Sequence, residues 1–202
     1  MADKPIVIFD LGAVLIDWNP RHLYRKLFDD EAAMETFLRD ICSPAWNVEQ
    51  DRGRSWREAV DLLTAAHPEH GDLIAAYRDR WDEMLKGPIS GSVAILERLD
   101  REGYELHALT NWSAETFPVA RERYGFLERF RTILVSGEER LAKPDAAIFE
   151  LMLERINHPA ERCMFIDDSA RNIEAAASLG FDAIQFESAE QLQQALQQRG
   201  MG

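Results

Sequence analysis

Three short apolar runs in this chain end on side chains able to do polar chemistry. Ile6–Phe9 ends on Asp10 and turns at once on Gly12. Leu106–Leu109 ends on Thr110 and Asn111, and Cys163–Ile166 ends on the adjacent carboxylates Asp167 and Asp168. A fourth segment offers Lys143 ahead of Pro144 and Asp145. A charge at the end of a buried strand is costly unless it binds or does something. Ligands of open α/β sheets bind just beyond the carboxyl ends of strands. Asp10 therefore reads as a nucleophile and metal ligand. Were these strands neighbours, Asp10, Asp167 and Asp168 would converge and repel, and a hard divalent cation such as Mg²⁺ would relieve them. Thr110, Asn111 and Lys143 would add donors and a positive charge at the same sheet edge. Donors, a lysine and Mg²⁺ are what a phosphoryl group in transfer requires. A carboxylate nucleophile can carry that group as an aspartyl-phosphate, splitting hydrolysis into two displacements.

The elements that must position these residues follow an α/β pattern. Strands are predicted at Ile6–Phe9, Glu105–Leu109, Thr132–Val135, Met164–Ile166 and Ala183–Phe186. Helices are predicted at Ser92–Glu102, Glu115–Tyr124, Ala146–Ile156, Arg171–Leu179 and Ala189–Gln197, with Gly103 and Gly180 as C-caps. Alternating strands and helices imply a parallel sheet with right-handed crossovers. Residues from about 18 to 87 break the pattern. They carry helical spacing only, as in Met34/Phe37/Leu38 and Trp56/Val60/Leu63, and are punctuated by Pro20, Pro44, Pro68 and Pro88. They read as a small helical bundle inserted after the first strand.

The net charge of −13, from 36 acidic and 23 basic residues, opposes nonspecific binding to nucleic acid or anionic membranes. Any phosphate ligand must therefore be drawn in by local positive groups. No apolar run is long enough to span a bilayer. Met1–Pro5 leads into the first strand without a signal-peptide pattern. Cys42 and Cys163 lie far apart, so no disulfide framework is expected and the cytoplasm is the simplest location. The sequence leaves the oligomeric state open.

In order and spacing, the four chemical segments resemble the four motifs of the haloacid dehalogenase superfamily of hydrolases. The resemblance implies a Rossmann-like parallel-sheet core over 1–16 and 88–202. It also implies a mobile helical cap over 17–87, hinged near Asp17–Pro20 and Gly87–Gly91. Mg²⁺ would be held by Asp10, the carbonyl of Gly12 and Asp168, with Asp167 a ligand directly or through water. Thr110, Asn111 and the backbone N–H groups just after Asp10 would hold the phosphate, and Lys143 would neutralise the nucleophile and the transferring group.

One departure matters. Phosphatases of this superfamily usually carry a second Asp two positions after the nucleophile, where it protonates the leaving oxygen. That position is Gly12 here. The pattern around Asp10 also resembles a subgroup containing bacterial α-glucose-1-phosphate phosphatase, where glycine stands at this place and phosphatase activity is retained. Asn47–Trp56 resembles a substrate-reading cap loop of that subgroup, with Arg52 or Arg54 placed to contact a sugar or phosphate. The expected function is a Mg²⁺-dependent phosphatase acting on a small phosphomonoester, a sugar phosphate. The alternatives are a metal-independent 2-haloacid dehalogenase and a non-catalytic phosphosugar binder.

Overall fold

The computed structural model describes residues 4–202. The expectation for the chain before Lys4 lies outside the described residues. Strand β1 (Ile6–Phe9) is followed by β2 (Ile16–Trp18) and the helices α1 (Arg21–Tyr24), α2 (Glu31–Asp40), α3 (Pro44–Asp51), α4 (Trp56–Ala66) and α5 (Gly71–Asp79). Strand β3 (Leu85–Pro88) and α6 (Ser90–Arg101) lead back to β4 (Glu105–Thr110), α7 (Phe117–Arg123), β5 (Thr132–Val135) and α8 (Ser136–Glu139). The chain ends with α9 (Ala146–Ile156), β6 (Cys163–Asp167), α10 (Ala170–Ser178), β7 (Asp182–Gln185) and α11 (Ala189–Gln198).

The main sheet has the order β5-β4-β1-β6-β7, with every pair parallel. The chain order reverses direction at β1, which opens a crevice beyond the carboxyl ends of β4, β1 and β6. Register then fixes the chemistry. Phe9 aligns with Ala108 on one side and Ile166 on the other, so Asp10 stands level with Leu109 and Asp167. The Asp10 N–H extends the ladder by donating to the Ile166 carbonyl at 2.8 Å. Strand side chains alternate between faces. Val7 and Phe9 accordingly join one hydrophobic cluster, and Ile6 and Ile8 join another with Phe149, Met152 and Phe165.

Several boundaries differ from the sequence reading. β6 runs on to Asp167, and β7 starts one residue earlier than predicted. α7 starts at Phe117 rather than Glu115 because Ser113 caps a turn there, accepting from the Glu115 N–H at 3.2 Å. The two predicted hinges are paired as an antiparallel ribbon: Ile16 lies opposite Pro88 and Asp17 opposite Gly87. Three residues are too few for alternation to reveal a strand such as β2.

The helices between β2 and β3 form a unit, here the helical insert, built around stacked rings. Trp56 and Tyr77 stack at 5.5 Å, Trp46 meets Tyr77 edge-on at 5.1 Å, and Tyr24 meets Phe37 at 5.1 Å. Ser43 and Ser55 cap α3 and α4, their hydroxyls accepting from the Trp46 and Glu58 N–H groups, both at 3.2 Å. The loop between these helices turns on Gly53, at φ +95°. A Cβ there would lie 2.9 Å from Arg140 Cγ and 3.2 Å from the Gly137 carbonyl. Glycine is needed for the backbone conformation and for the approach of the insert to α8.

Candidate functional site

Three strand ends meet at the crevice. Oxygen atoms of Asp10, Asp167 and Asp168 all lie within 4.8 Å of one another. Asp10 is 7 % exposed and Asp167 fully buried, whereas Asp168 is exposed at the cavity edge. Burial pushes the Asp10 carboxyl up to about 7 against the pull of Lys143, and the neighbouring Asp167 adds to the rise. Burial also raises Asp168, with Asp167 again contributing. A divalent cation between such groups favours their charged forms and draws these values down. The donor set of clustered carboxylate oxygens is one a hard cation fits.

Lys143 is buried with all three of its ammonium donors committed. Nζ lies 3.0 Å from Asp10 Oδ1 and 2.6 Å from Asp167 Oδ2, and it donates to the Leu109 carbonyl at 2.9 Å. Burial alone would lower its pKa, but the two carboxylates outweigh that and leave it raised. Its backbone is clamped by Asn111, whose side chain accepts from the Lys143 N–H and donates to the Lys143 carbonyl, both at 2.9 Å. The Lys143–Pro144 peptide bond is cis.

Asp10 Oδ1 also accepts the Leu11 N–H at 2.7 Å. Oδ1 is thus held twice, and Oδ2 has no hydrogen-bond partner among the described residues. The Leu11 N–H, expected to serve a phosphate, is spent on Asp10 itself. Thr110 is 1 % exposed, and its hydroxyl has no partner among the described residues. A buried hydroxyl left unpaired costs free energy, and an acceptor-rich ligand seated beside Asp10 would satisfy it.

The remaining sequence candidates are engaged as follows. Asp167 Oδ1 accepts from the Ser169 N–H at 2.8 Å and from Asn172 at 3.0 Å. Its Oδ2 takes Lys143 at 2.6 Å and the same Asn172 amide at 3.0 Å. Each oxygen already serves two donors, which fills the lone pairs of a carboxylate. Asn111 spends its side-chain carbonyl, and at least one N–H, on Lys143. Arg52 does not reach the cavity; it pairs with Asp145 at 2.6 Å, across the gap between α3 and the Lys143 loop. Arg54 is tied to Gln50 and to the Trp46 carbonyl.

A cavity of about 560 Å³ runs between the sheet edge and the insert, with Asp10, Gly12, Asn111 and Asp168 on one wall and Asn47, Asp51 and Tyr77 on the other. Beside it, Trp18, Trp56, Trp81 and Trp112 wall a narrower space shared with Gly12 and Asp51. The indole N–H groups of Trp18, Trp56 and Trp112 have no partner among the described residues. Trp46 packs edge-on against Trp56 and Tyr77. Sequence reasoning passed over two residues. Asn172 is one turn into the helix after Asp167, a spacing that signals a brace for that carboxylate. Asp51 was seen only as part of the loop motif, although its place just before an Arg-Gly turn at a helix end marks it as facing the junction.

Residues 5–180 match the family described as haloacid dehalogenase-like hydrolases. A sesquiterpene phosphatase of Aspergillus oryzae is 28 % identical over 174 residues, covering 86 % of this chain and 85 % of the relative. A phosphorylated carbohydrates phosphatase of Thermotoga maritima is 28 % identical over 188 residues, covering 88 % and 82 %. The crystal structure of a haloacid dehalogenase family enzyme from Bacteroides thetaiotaomicron, in complex with magnesium and inorganic phosphate, superposes with a TM-score of 0.69. It is 22 % identical and covers 92 % of this chain and 96 % of its own. The strand order, the converging carboxylates and the match across most of the sequence agree: this chain belongs to the haloacid dehalogenase-like hydrolases.

Proposed function

We propose that this protein is a Mg²⁺-dependent phosphatase that hydrolyses a small phosphomonoester, a sugar phosphate, through an aspartyl-phosphate on Asp10. The observation that carries this reading is the carboxylate cluster joined to a buried Lys143, with the unpaired Thr110 hydroxyl beside it. Asp10 and Asp168, with the carbonyl of Gly12, would hold the ion, with Asp167 a ligand directly or through water. When bound there, Mg²⁺ supplies positive charge that offsets the oxygens of the transferring group.

The chain's residues do the rest. Asp10 Oδ2, the oxygen left free of hydrogen bonds, attacks phosphorus. Lys143 keeps Asp10 ionised and oriented, and Asp167, Asn172 and Asn111 hold Lys143 in place. Thr110 donates to a phosphoryl oxygen. The insert covers the site as a cap, excluding bulk water while the ester is held. The tryptophan walls suit a carbon skeleton with flat apolar faces and hydroxyls for the unpaired indole N–H groups to meet. Sugar rings present both. The Thermotoga relative is named for phosphorylated carbohydrates, and the Aspergillus relative for a sesquiterpene. The two buried cysteines are free, which fits a reducing cytoplasm. No helix among the described residues is long and apolar enough to cross a membrane.

A panel of sugar, glycerol, nucleoside and prenyl phosphates tests the proposal, measured as phosphate release with Mg²⁺ and with EDTA. The expected result is Mg²⁺-stimulated release, fastest on a sugar phosphate and lowered by at least about 10⁴-fold in a folded Asp10→Asn protein, the scale of losing a covalent nucleophile. Absence of release from every ester would overturn it. Metal-independent chloride release from 2-chloropropionate would favour the dehalogenase alternative, and phosphosugar binding without release would favour the binder.

A further inference from the structure

The phosphatase reading leaves one proton unassigned. Expelling an alkoxide needs an acid, and Gly12 carries none. A Cβ built at Gly12 meets nothing within 4 Å, so no neighbouring side chain occupies that space. Displacement at phosphorus is in line. With Asp10 attacking from the sheet edge, the leaving oxygen lies on the far side of phosphorus, toward the insert. The missing acid is therefore to be sought on the insert's wall of the cavity.

Asp51 is the one carboxylate that the insert contributes to either cavity wall, among the described residues. It is the last residue of α3, held from both sides of the junction. Asn47 donates to its Oδ2 at 3.2 Å, and the Ser113 backbone of the core also hydrogen-bonds to it. Among the described residues no arginine or lysine is ion-paired with it. Arg52 and Arg54, its neighbours in sequence, are turned to Asp145 and Gln50. The other groups facing it are Lys143, committed to Asp10 and Asp167, and the buried Tyr77. The end of a helix disfavours a fixed negative charge.

Resting on the phosphatase reading, we propose that Asp51 is the general acid and base of this protein, supplied by the insert in place of the side chain absent at Gly12. In the first step, an Asp10 oxygen bonds to phosphorus as the phosphorus–alkoxide bond breaks, and the Asp51 carboxyl gives its proton to the departing oxygen. The alcohol leaves, and Asp51 remains as carboxylate. In the second step, Asp51 takes a proton from water as the water oxygen bonds to phosphorus. The acyl-phosphate bond breaks, returning Asp10 as carboxylate and releasing orthophosphate. Burial pushes Asp51 up to about 7, against Lys143 and the Ser113 hydrogen bond, so both forms are populated near neutrality. A catalyst on a mobile element would act only when the insert is seated, coupling chemistry to exclusion of water.

The test compares leaving groups in Asp51→Asn, which keeps an acceptor for Ser113. The substrates are the alkyl phosphoester of the panel that the wild type turns over fastest, and p-nitrophenyl phosphate, whose leaving group needs no proton. The expected result on the alkyl ester is a fall in kcat of about 10²–10⁴-fold with KM within a few fold. On p-nitrophenyl phosphate the expected result is a burst of about one nitrophenolate per protein, followed by slow turnover as phosphorylated Asp10 accumulates. A folded variant that keeps its alkyl-ester kcat, or that slows on both esters in proportion without a burst, would overturn the assignment. If the Asn variant does not fold, Asp51→Ser is read by the same criteria. A wild type inactive on every ester would instead sink the phosphatase reading itself.

Discussion

β1 buries Ile6, Val7, Ile8 and Phe9 to 2 % exposure or less and is hydrogen-bonded along both edges. α3, α4 and α5 share no sheet, and they meet through the rings of Trp46, Trp56 and Tyr77. The two regions therefore hold their functional residues in different ways. A carboxylate one step past a central strand is fixed by backbone register, to which its own side chain contributes little. A residue on the insert is placed only as well as side-chain packing and a few junction contacts place it. Among those contacts are the Trp81–Trp112 ring pair at 5.5 Å, the Glu115 carboxylate accepting the Trp56 N–H at 2.9 Å, the Arg52–Asp145 ion pair and the approach of Gly53 to α8. Attacking groups suit the rigid region. Groups that must arrive with closure suit the other.

The core side of this contrast breaks most sharply at Lys143. Lys143→Met removes the only cation ion-paired with Asp10 and Asp167 among the described residues, leaving two buried carboxylates uncompensated. Loss of one partner from a buried ionic cluster costs about 3–5 kcal/mol. Chemical denaturation at neutral pH should show a loss of that order together with loss of turnover. Millimolar Mg²⁺ should restore part of the stability and none of the rate, since the ion can offset the charge but cannot hold the Asp10 oxygen. Full stability without Mg²⁺ would mean that the carboxylates are already neutral.

The junction responds through Gly53. Gly53→Ala forces a side chain onto a backbone at φ +95° and brings a Cβ within 3.2 Å of the Gly137 carbonyl. Strain of this kind costs of order 1–3 kcal/mol. Most of it should fall on seating the insert against α8, because the alanine clashes only when the two meet. The expected signature is a drop in kcat/KM of about tenfold, as about 1.4 kcal/mol gives, with a small change in thermal midpoint. A large fall in midpoint with unchanged kcat/KM would assign the strain to the fold as a whole.

The same contrast explains what could be read from sequence. Asp10, Thr110, Asp167 and Asp168 each stand at the end of an apolar run, and strand register carries them to one edge without help from distant packing. Their convergence was legible because a parallel sheet with short crossovers leaves few other arrangements. What each side chain touches was mostly not legible. Asn111 clamping Lys143, 32 residues away, depends on a tertiary distance that no local spacing encodes, whereas Asn172, five residues after Asp167, is a local brace that the sequence did carry. The ribbon at Ile16–Trp18 was too short to alternate, and Glu115, in a helical pattern, left the helix to bond the first N–H of α4. The helix-end turn after Asp51 marks it only as facing the junction; its burial and neighbours come from both sides of that junction, which no local pattern shows.

Arg52 separates a junction contact from a substrate contact with the smallest expected effect. Sequence placed it on the sugar or the phosphate; the structure places it on Asp145, with the two side chains 35 % and 45 % exposed. An exposed ion pair contributes no more than about 1 kcal/mol and is screened by salt. A charge-assisted hydrogen bond to phosphate contributes about 1.5–3 kcal/mol, or roughly 10–150-fold in KM. Arg52→Ala should therefore change kcat/KM by less than about fivefold, and half-molar NaCl should erase the difference from wild type. Asp145→Ala should behave alike, and the double variant no worse than either single change, because both remove one contact. A rise in KM beyond tenfold for Arg52→Ala alone, with Asp145→Ala silent, would return Arg52 to the substrate and leave the junction to the tryptophan rings and Gly53.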